Sequence, residues 1–316
     1  MKPEELKEKL VGVQIVMPTP FKENYELDKE GLRKLTRFLI DRGIKEGEGV
    51  LIPAGSTGEC PMLDDDERKE VFKIVTEEAN GEVPVVVGCN HTDTRTVIKL
   101  AKYAQEIGAS GVMINPPYYF KPSHEVIMNH YSAVAKEIDI GIMIYNNWFV
   151  TQTDISVQTL EKLAQIPNII AIKENSPALE KVEEVYYRLG DKINVISGNG
   201  DLHEPYLGYL GLPGFVSAFA SFMPEKLLEI YRLTKKGEYN KARDAHRKLM
   251  PLWDFYKSDD VSKYDSAKFI IYLKEIMNYL GLPAGPVRLP LVSLTIEERE
   301  KAITVLKQLG LDKKRM

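Results

Sequence analysis

Apolar runs rich in β-branched residues recur along the chain at 11–17, 49–53, 83–88, 111–115, 140–145, 169–173, 193–197 and 214–217. They are continuous rather than alternating, the pattern of parallel strands covered on both faces. Segments of helical period lie between them. Asp28 stands ahead of Leu32, Leu35, Phe38 and Leu39, and Asp64, Asp65 and Asp66 precede Val71 and Val75. Thr92 opens a stretch with Val97, Leu100, Ala101 and Ala104 on one face, and Gly108 follows as a stop. Eight strand–helix units without a long linker predict an α/β fold of the (β/α)8 TIM-barrel type, because each parallel connection needs a crossover helix. An open doubly wound sheet is the alternative, and the count of eight favours the barrel. After Pro224 the strand signal ends, and helix-like segments follow at 226–234, 239–253, 262–280 and 295–309, separated by Gly237, Ser258 and the turn residues 281–290. The first of these closes the barrel. The other three predict a C-terminal three-helix extension, with boundaries of 1–236 for the catalytic barrel and 237–316 for the extension. Its apolar faces must pad the barrel or make an oligomer contact.

Composition narrows the function classes. Among 316 residues, 42 Lys plus Arg stand against 46 Asp plus Glu, for a net charge of −4. No basic stripe is present to hold a phosphate backbone, so a nucleic-acid partner is not expected. No apolar run approaches the roughly 18 residues of a membrane span, and the charged N-terminus lacks the apolar core of a signal peptide, so no membrane association and a cytoplasmic location are expected. Cys60 and Cys89, the only cysteines, read as buried thiols in a reducing compartment. His91, His124, His130, His203 and His246 form no metal-ligand pattern, and the acidic run 64–67 reads as helix N-terminal charge, so no metal site is expected. Gly208, Gly211 and Gly214 precede a strand instead of following one, which argues against a dinucleotide site. The charged tail 313–315 reads as solvated.

In a barrel of this kind, chemistry sits at the carboxyl ends of the strands. Lys173 ends the run Ile169-Ile170-Ala171-Ile172; a lysine in the barrel mouth can attack a carbonyl and form a Schiff base, although strand-end lysines also snorkel to solvent. Tyr145 ends the preceding strand, within reach of the same substrate, and its phenol can relay a proton, unless it is simply a packed core tyrosine. The loop Gly55-Ser56-Thr57-Gly58-Glu59 combines turn-forming glycines with two adjacent hydroxyls, suited to a carboxylate. It lacks the spacing and lysine of a P-loop. After the fourth strand, Pro116-Pro117-Tyr118-Tyr119 forms a stiff loop that either aims an aromatic hydroxyl at the mouth or makes a rigid surface turn.

These features, in this order, resemble the dihydrodipicolinate synthase / N-acetylneuraminate lyase family of class I, pyruvate-handling aldolases. The resemblance runs from Pro18-Thr19-Pro20-Phe21 to the helical C-terminus, with Gly55 to Glu59, Tyr145-Asn146 and Ile172-Lys173-Glu174 as its motifs. It implies a cofactor-free carbon–carbon lyase or synthase that joins or releases pyruvate, or another 2-oxo acid, and an aldehyde. Lys173 would form the imine and Tyr145 would relay protons. Ser56 and Thr57, with Gly55, would hold the 2-oxo acid, Ser56 also joining the relay. Tyr119 would be inserted from a neighbouring subunit, Gly198 and Val216 would line the site, and a homo-oligomer, commonly a tetramer, would be the assembly. The family's synthase branch continues its tyrosine motif through a proline to an arginine that grips the aldehyde's carboxylate. Here those positions are Trp148 and Val150, which points to a more apolar or bulkier acceptor. Asn175, with Asn199 and Asp201, could bond the hydroxyls of a sugar-acid aldehyde. A 2-keto-3-deoxy sugar acid aldolase or dehydratase, 4-hydroxy-tetrahydrodipicolinate synthase itself, and a non-catalytic binder of 2-oxo acids are the alternatives.

Overall fold

A computed structural model describes residues 1–176, 178–257 and 267–311. Each of the eight apolar runs marks a strand, the fifth and sixth strands extending one residue beyond their runs: β1 (Gly12–Val16), β2 (Gly49–Ile52), β3 (Val86–Gly88), β4 (Gly111–Ile114), β5 (Gly141–Asn146), β6 (Ile169–Glu174), β7 (Asn194–Ser197) and β8 (Gly214–Ser217). All pairings among them are parallel, in the order β2-β1-β8-β7-β6-β5-β4-β3. The two ends of that series meet at a parallel bridge between Leu51 and Val85, where the Leu51 N–H donates to Pro84 O at 3.0 Å and the Gly88 N–H to Pro53 O at 3.0 Å. The sheet therefore closes on itself as the expected (β/α)8 barrel. Nearly every strand residue is buried, which is why the runs read as continuous.

The helices start where local chemistry supplies a cap. Asp28 accepts from the Gly31 N–H, and Asp64 forms a reciprocal capping box with Glu67. In the third unit the cap is Asp93, one residue after Thr92, because the Asp93 carboxylate accepts from the Arg95 N–H. Segment 239–253 divides into Tyr239–Arg247 and Met250–Lys257. Pro251 explains the break: it has no N–H to offer the Arg247 carbonyl one turn back. The helices Lys268–Tyr279 and Ile296–Gln308 complete the extension; the expected turn at Ser258, the start at 262 and the tail 313–315 lie outside the described residues.

The charged N-terminus hides a further element. Pro3–Lys9 is a helix that buries Leu6, with Leu10 just beyond it, against the N-terminal end of the barrel interior, beside Val50, Val86, Met143 and Ile196. Gly111 and Gly141 make room for it, since a Cβ at either position would lie 2.4 or 3.0 Å from Leu6 Cδ2. The bottom of the barrel is thereby closed, leaving the carboxyl end of the strands as its open mouth. No helix among the described residues is long and apolar enough to cross a membrane. Cys60 and Cys89 are buried, and burial pushes both thiols up.

Glu204 is buried, and burial pushes it up to about 8 against the pull of the Gly208 N–H. A carboxyl raised in this way stabilises the fold below its ordinary value of 4.5, and that contribution is lost as pH rises towards about 8. Glu204→Gln is therefore expected to raise the unfolding free energy on the alkaline side by on the order of a few kcal/mol, and to flatten the midpoint-versus-pH curve. Calorimetry across that window checks it; a curve as steep as that of the wild type excludes Glu204 as its source.

Candidate active site

The barrel mouth holds a cavity of ≈ 350 Å3. Strands β5 and β6 place Tyr145 and Lys173 opposite one another in register, and both side chains point inward, with 3% and 4% exposure. A register shift between Ile142 and Met143 precedes this pair. The Lys173 Nζ lies 4.1 Å from the centre of the Tyr145 ring, so amine and phenol share one small volume.

Alternation sends the next residues the other way, and they lock the strands together. Asn146 Nδ2 donates to both carboxylate oxygens of Glu174, at 3.0 and 2.8 Å, and to Asp154 Oδ1 at 3.0 Å. The Asn146 Oδ1 accepts from the Ile155 N–H, and Glu174 also accepts from the Ser176 N–H. Burial raises Glu174 to about 7, opposed by the charge of Lys181 and by the Asn146 hydrogen bond. This outward pair holds Tyr145 and Lys173 at the same height.

The hydrogen bonds at the phenol define which way its proton goes. Asn147 caps the short helix Trp148–Thr151, and its Oδ1 accepts from the Phe149 N–H at 3.1 Å. Its Nδ2 must then be the end facing Tyr145, and it donates to the phenol oxygen at 2.7 Å. The Tyr145 O–H is left free to donate elsewhere. Ser56 Oγ, 3.3 Å away, or a bound carbonyl oxygen can receive that proton.

Ser56 and Thr57 stand on the turn after β2, where the Gly58 and Cys60 N–H groups both donate to Gly55 O, and the Glu59 N–H donates to Ser56 O. Ser56, Thr57, Asn175, Gly198 and Val216 all line the cavity with Lys173 and Tyr145. Gly198 must be glycine: a Cβ would lie 2.0 Å from Asn175 Oδ1 and 2.8 Å from Glu174 O. Asn175 is turned sideways and donates to Asn199 Oδ1 at 3.0 Å. Two expected site residues are not in the lining. Gly55 supports the turn from behind, and Tyr119 stands outside its own chain's cavity, 88% exposed, at a left-handed φ of 86° and edge-on to Phe120.

The outer part of the cavity is aromatic. Trp148, Phe149 and Val150 form one half-exposed rim, and Phe219, Trp253, Tyr256 and Phe269 form the facing wall. The last three come from the C-terminal extension, which is therefore a wall of the site as well as padding. Trp253 Nε1 and His246 Nε2 both bond the Asp201 main-chain oxygen, at 2.7 and 2.8 Å, seating the extension on the β7 loop. Asp201 itself bonds the Ser217 hydroxyl and the N–H groups of Ala218 and Phe219. Burial raises it to about 6, against those hydrogen bonds. Among the described lining residues, Lys173 and Asp201 alone carry side chains of the Lys, Arg, Asp or Glu type. No group of three or more His, Cys, Asp or Glu among the described residues could hold a metal ion.

The sequence profile of the Dihydrodipicolinate synthetase family matches residues 9–309. The chain belongs to this family. It is 35% identical over 305 residues to a 4-hydroxy-tetrahydrodipicolinate synthase of Methanocaldococcus jannaschii, covering 95% of this chain and 99% of that one. A second synthase, from Archaeoglobus fulgidus, is 36% identical over 300 residues, covering 95% and 98%. The crystal structure of dihydrodipicolinate synthase from Aquifex aeolicus superposes with a TM-score of 0.88 at 32% identity, covering 97% of this chain and all of that one. Family membership, barrel and lyase class thus stand as the sequence led us to expect. Asn147 and the walls from the extension were not legible as site residues, although Trp253 and Tyr256 form an aromatic pair at helical spacing.

Proposed function

We propose that this member of the dihydrodipicolinate synthetase family is a class I aldolase joining pyruvate to an aldehyde that lacks a carboxylate, or running the reverse cleavage. The observation that carries it is the in-register placement of Lys173 against Tyr145 in one cavity with Ser56. Lys173 Nζ attacks the keto carbon of pyruvate, and loss of water from the carbinolamine leaves the imine. Tyr145 gives its proton to the departing hydroxyl, and the phenolate takes the methyl proton as the enamine forms; the enamine carbon attacks the aldehyde, whose oxygen takes the proton back from Tyr145, and attack of water on the new imine frees the lysine and returns a proton to the phenolate. Ser56 and Thr57 hold the pyruvate carboxylate. Borohydride added with pyruvate is expected to place one reduced pyruvate on the Lys173 peptide, read by mass spectrometry. A folded protein with no adduct sinks the mechanism.

The acceptor reading is supported by the wall of the outer cavity, which offers aromatic faces and no cation among the described residues. The synthase activity of the relatives is the competing reading, favoured by their names. A turnover screen with pyruvate and equal concentrations of benzaldehyde, glyceraldehyde and aspartate semialdehyde separates them, with benzaldehyde expected first. Val150→Arg is expected to lower the KM for the semialdehyde by about ten- to a hundredfold, since a charge-assisted hydrogen bond contributes ~1.5–3 kcal/mol. An unchanged KM removes Val150 as the determinant. Release of pyruvate from sugar acids, rather than loss of water alone, tells cleavage from dehydration.

The assembly proposed is a homo-oligomer, a tetramer by family resemblance, in which the exposed Tyr119 enters a neighbour's site and completes its relay. Sedimentation of wild type and Tyr119→Phe, with activity measured at each protein concentration, tests it. Placement in the cytoplasm belongs to the same proposal, supported by the lack of any membrane-length apolar helix among the described residues.

A further inference from the structure

Glu59 closes the turn that carries Ser56 and Thr57, and nothing in the imine chemistry uses it. Its backbone adopts a left-handed φ of 55°, where a side chain is not placed without compensation. The carboxylate leaves the turn and enters the interior, where Oε1 meets Lys274 Nζ at 2.7 Å; both side chains are almost fully buried. Lys274 belongs to the extension helix Lys268–Tyr279. Its other two protons go to the main-chain oxygens of Thr19, at 2.9 Å, and Pro286, at 2.7 Å. Thr19 in turn gives its hydroxyl proton to Gly58 O at 2.7 Å, so the lysine holds the turn at two successive residues. The second carboxylate oxygen of Glu59 accepts the Arg288 N–H at 2.9 Å.

We infer that Glu59 and Lys274 are a positioning pair, through which the C-terminal extension sets the placement of Ser56 and Thr57 and hence the affinity for the 2-oxo acid carboxylate. This rests on the reading above that those two residues bind the carboxylate. Stability alone does not account for the pair, because burying two charges roughly breaks even against an apolar substitute of the same shape. Geometry does: an ammonium directs three donors at three acceptors from three separated stretches of the chain, which a methyl group cannot do. The turn has little slack to absorb the loss, since Gly58 is packed so closely that a Cβ would sit 3.0 Å from Ala54 and from Met17 O.

The test is steady-state kinetics on the full chain carrying Lys274→Met, Glu59→Gln, and the two together. The double variant leaves no buried charge unpaired and keeps the experiment decisive if a single variant fails to fold. For the double variant, the KM for pyruvate is expected to rise about tenfold or more, the scale of one charged hydrogen bond lost at a distance. Its kcat at saturating pyruvate and its KM for the aldehyde are expected to stay within about threefold. A folded double variant with wild-type KM for pyruvate overturns the inference, as does a fall in kcat without a change in KM. Failure of the underlying reading looks different: wild type then gives no borohydride adduct, or Ser56→Ala with Thr57→Val leaves the pyruvate KM unchanged.

Discussion

Lys173→Ala is expected to lose turnover by about 10^4-fold or more, the scale on which removing a covalent nucleophile acts, and to lose the borohydride adduct with it. No neighbour can stand in for the amine. The strand register allows one side chain at that height on β6, and the residues beside it point away, Ile172 into the apolar core and Glu174 into the lock with Asn146. Because Lys173 sits 4% exposed, shortening it leaves a cavity, and the fold tolerates this only if stability has a margin of ~2 kcal/mol or so. Lys173→Arg is the control that fills the space while being unable to form the imine. Circular dichroism and a thermal scan of both variants, beside the turnover assay, separate lost chemistry from lost folding. Turnover within tenfold of wild type in either variant would falsify the imine mechanism outright.

Tyr145→Phe is expected to reduce kcat by about 10^2- to 10^4-fold, the range for a positioned acid–base group, with a smaller change in the KM for pyruvate. The ring and its packing over Lys173 remain, so the variant isolates the hydroxyl. Two consequences follow from the geometry around it. Asn147 Nδ2 loses its acceptor, a cost of about 1–3 kcal/mol if water does not replace it, and a modest fall in thermal midpoint accompanies the loss of rate. Imine formation by borohydride trapping is expected to slow in Tyr145→Phe without being abolished, because in the proposed mechanism the phenol assists carbinolamine collapse while the lysine makes the bond. Asn147→Asp gives the complementary result: it substitutes an acceptor for the donor aimed at the phenol, reversing the direction in which Tyr145 gives its proton. Full activity in Tyr145→Phe would move the relay to Ser56 or to another residue of the cavity.

The strands were legible because each is buried on both faces, so its apolar character is unbroken and survives being read in isolation. Tyr145 and Lys173, which end two of the apolar runs, stood out against that background for the same reason. Helix Pro3–Lys9 was not legible, since five of its seven residues are charged and only Leu6 and the adjoining Leu10 report that it closes the barrel. The break at 248–249 depended on weighing one proline, Pro251, against an otherwise continuous helical pattern. Asn147 was hidden in another way. An asparagine beside a tyrosine is unremarkable in sequence, and its role depends on a cap that turns its amide nitrogen onto the phenol.

Local sequence therefore determined the eight parallel units, their order, and the lysine, tyrosine and hydroxyl pair that meet at their carboxyl ends, because strand alternation and the barrel's polarity leave few places for those groups to point. The tertiary structure decided what surrounds them. Glu59 and Lys274 are 215 positions apart and Trp253 lies 80 beyond Lys173, separations over which no period or spacing carries information. Their meeting is set by how the last helices pack over the barrel mouth, and that packing makes the extension both a wall of the cavity and an anchor for the turn carrying Ser56 and Thr57.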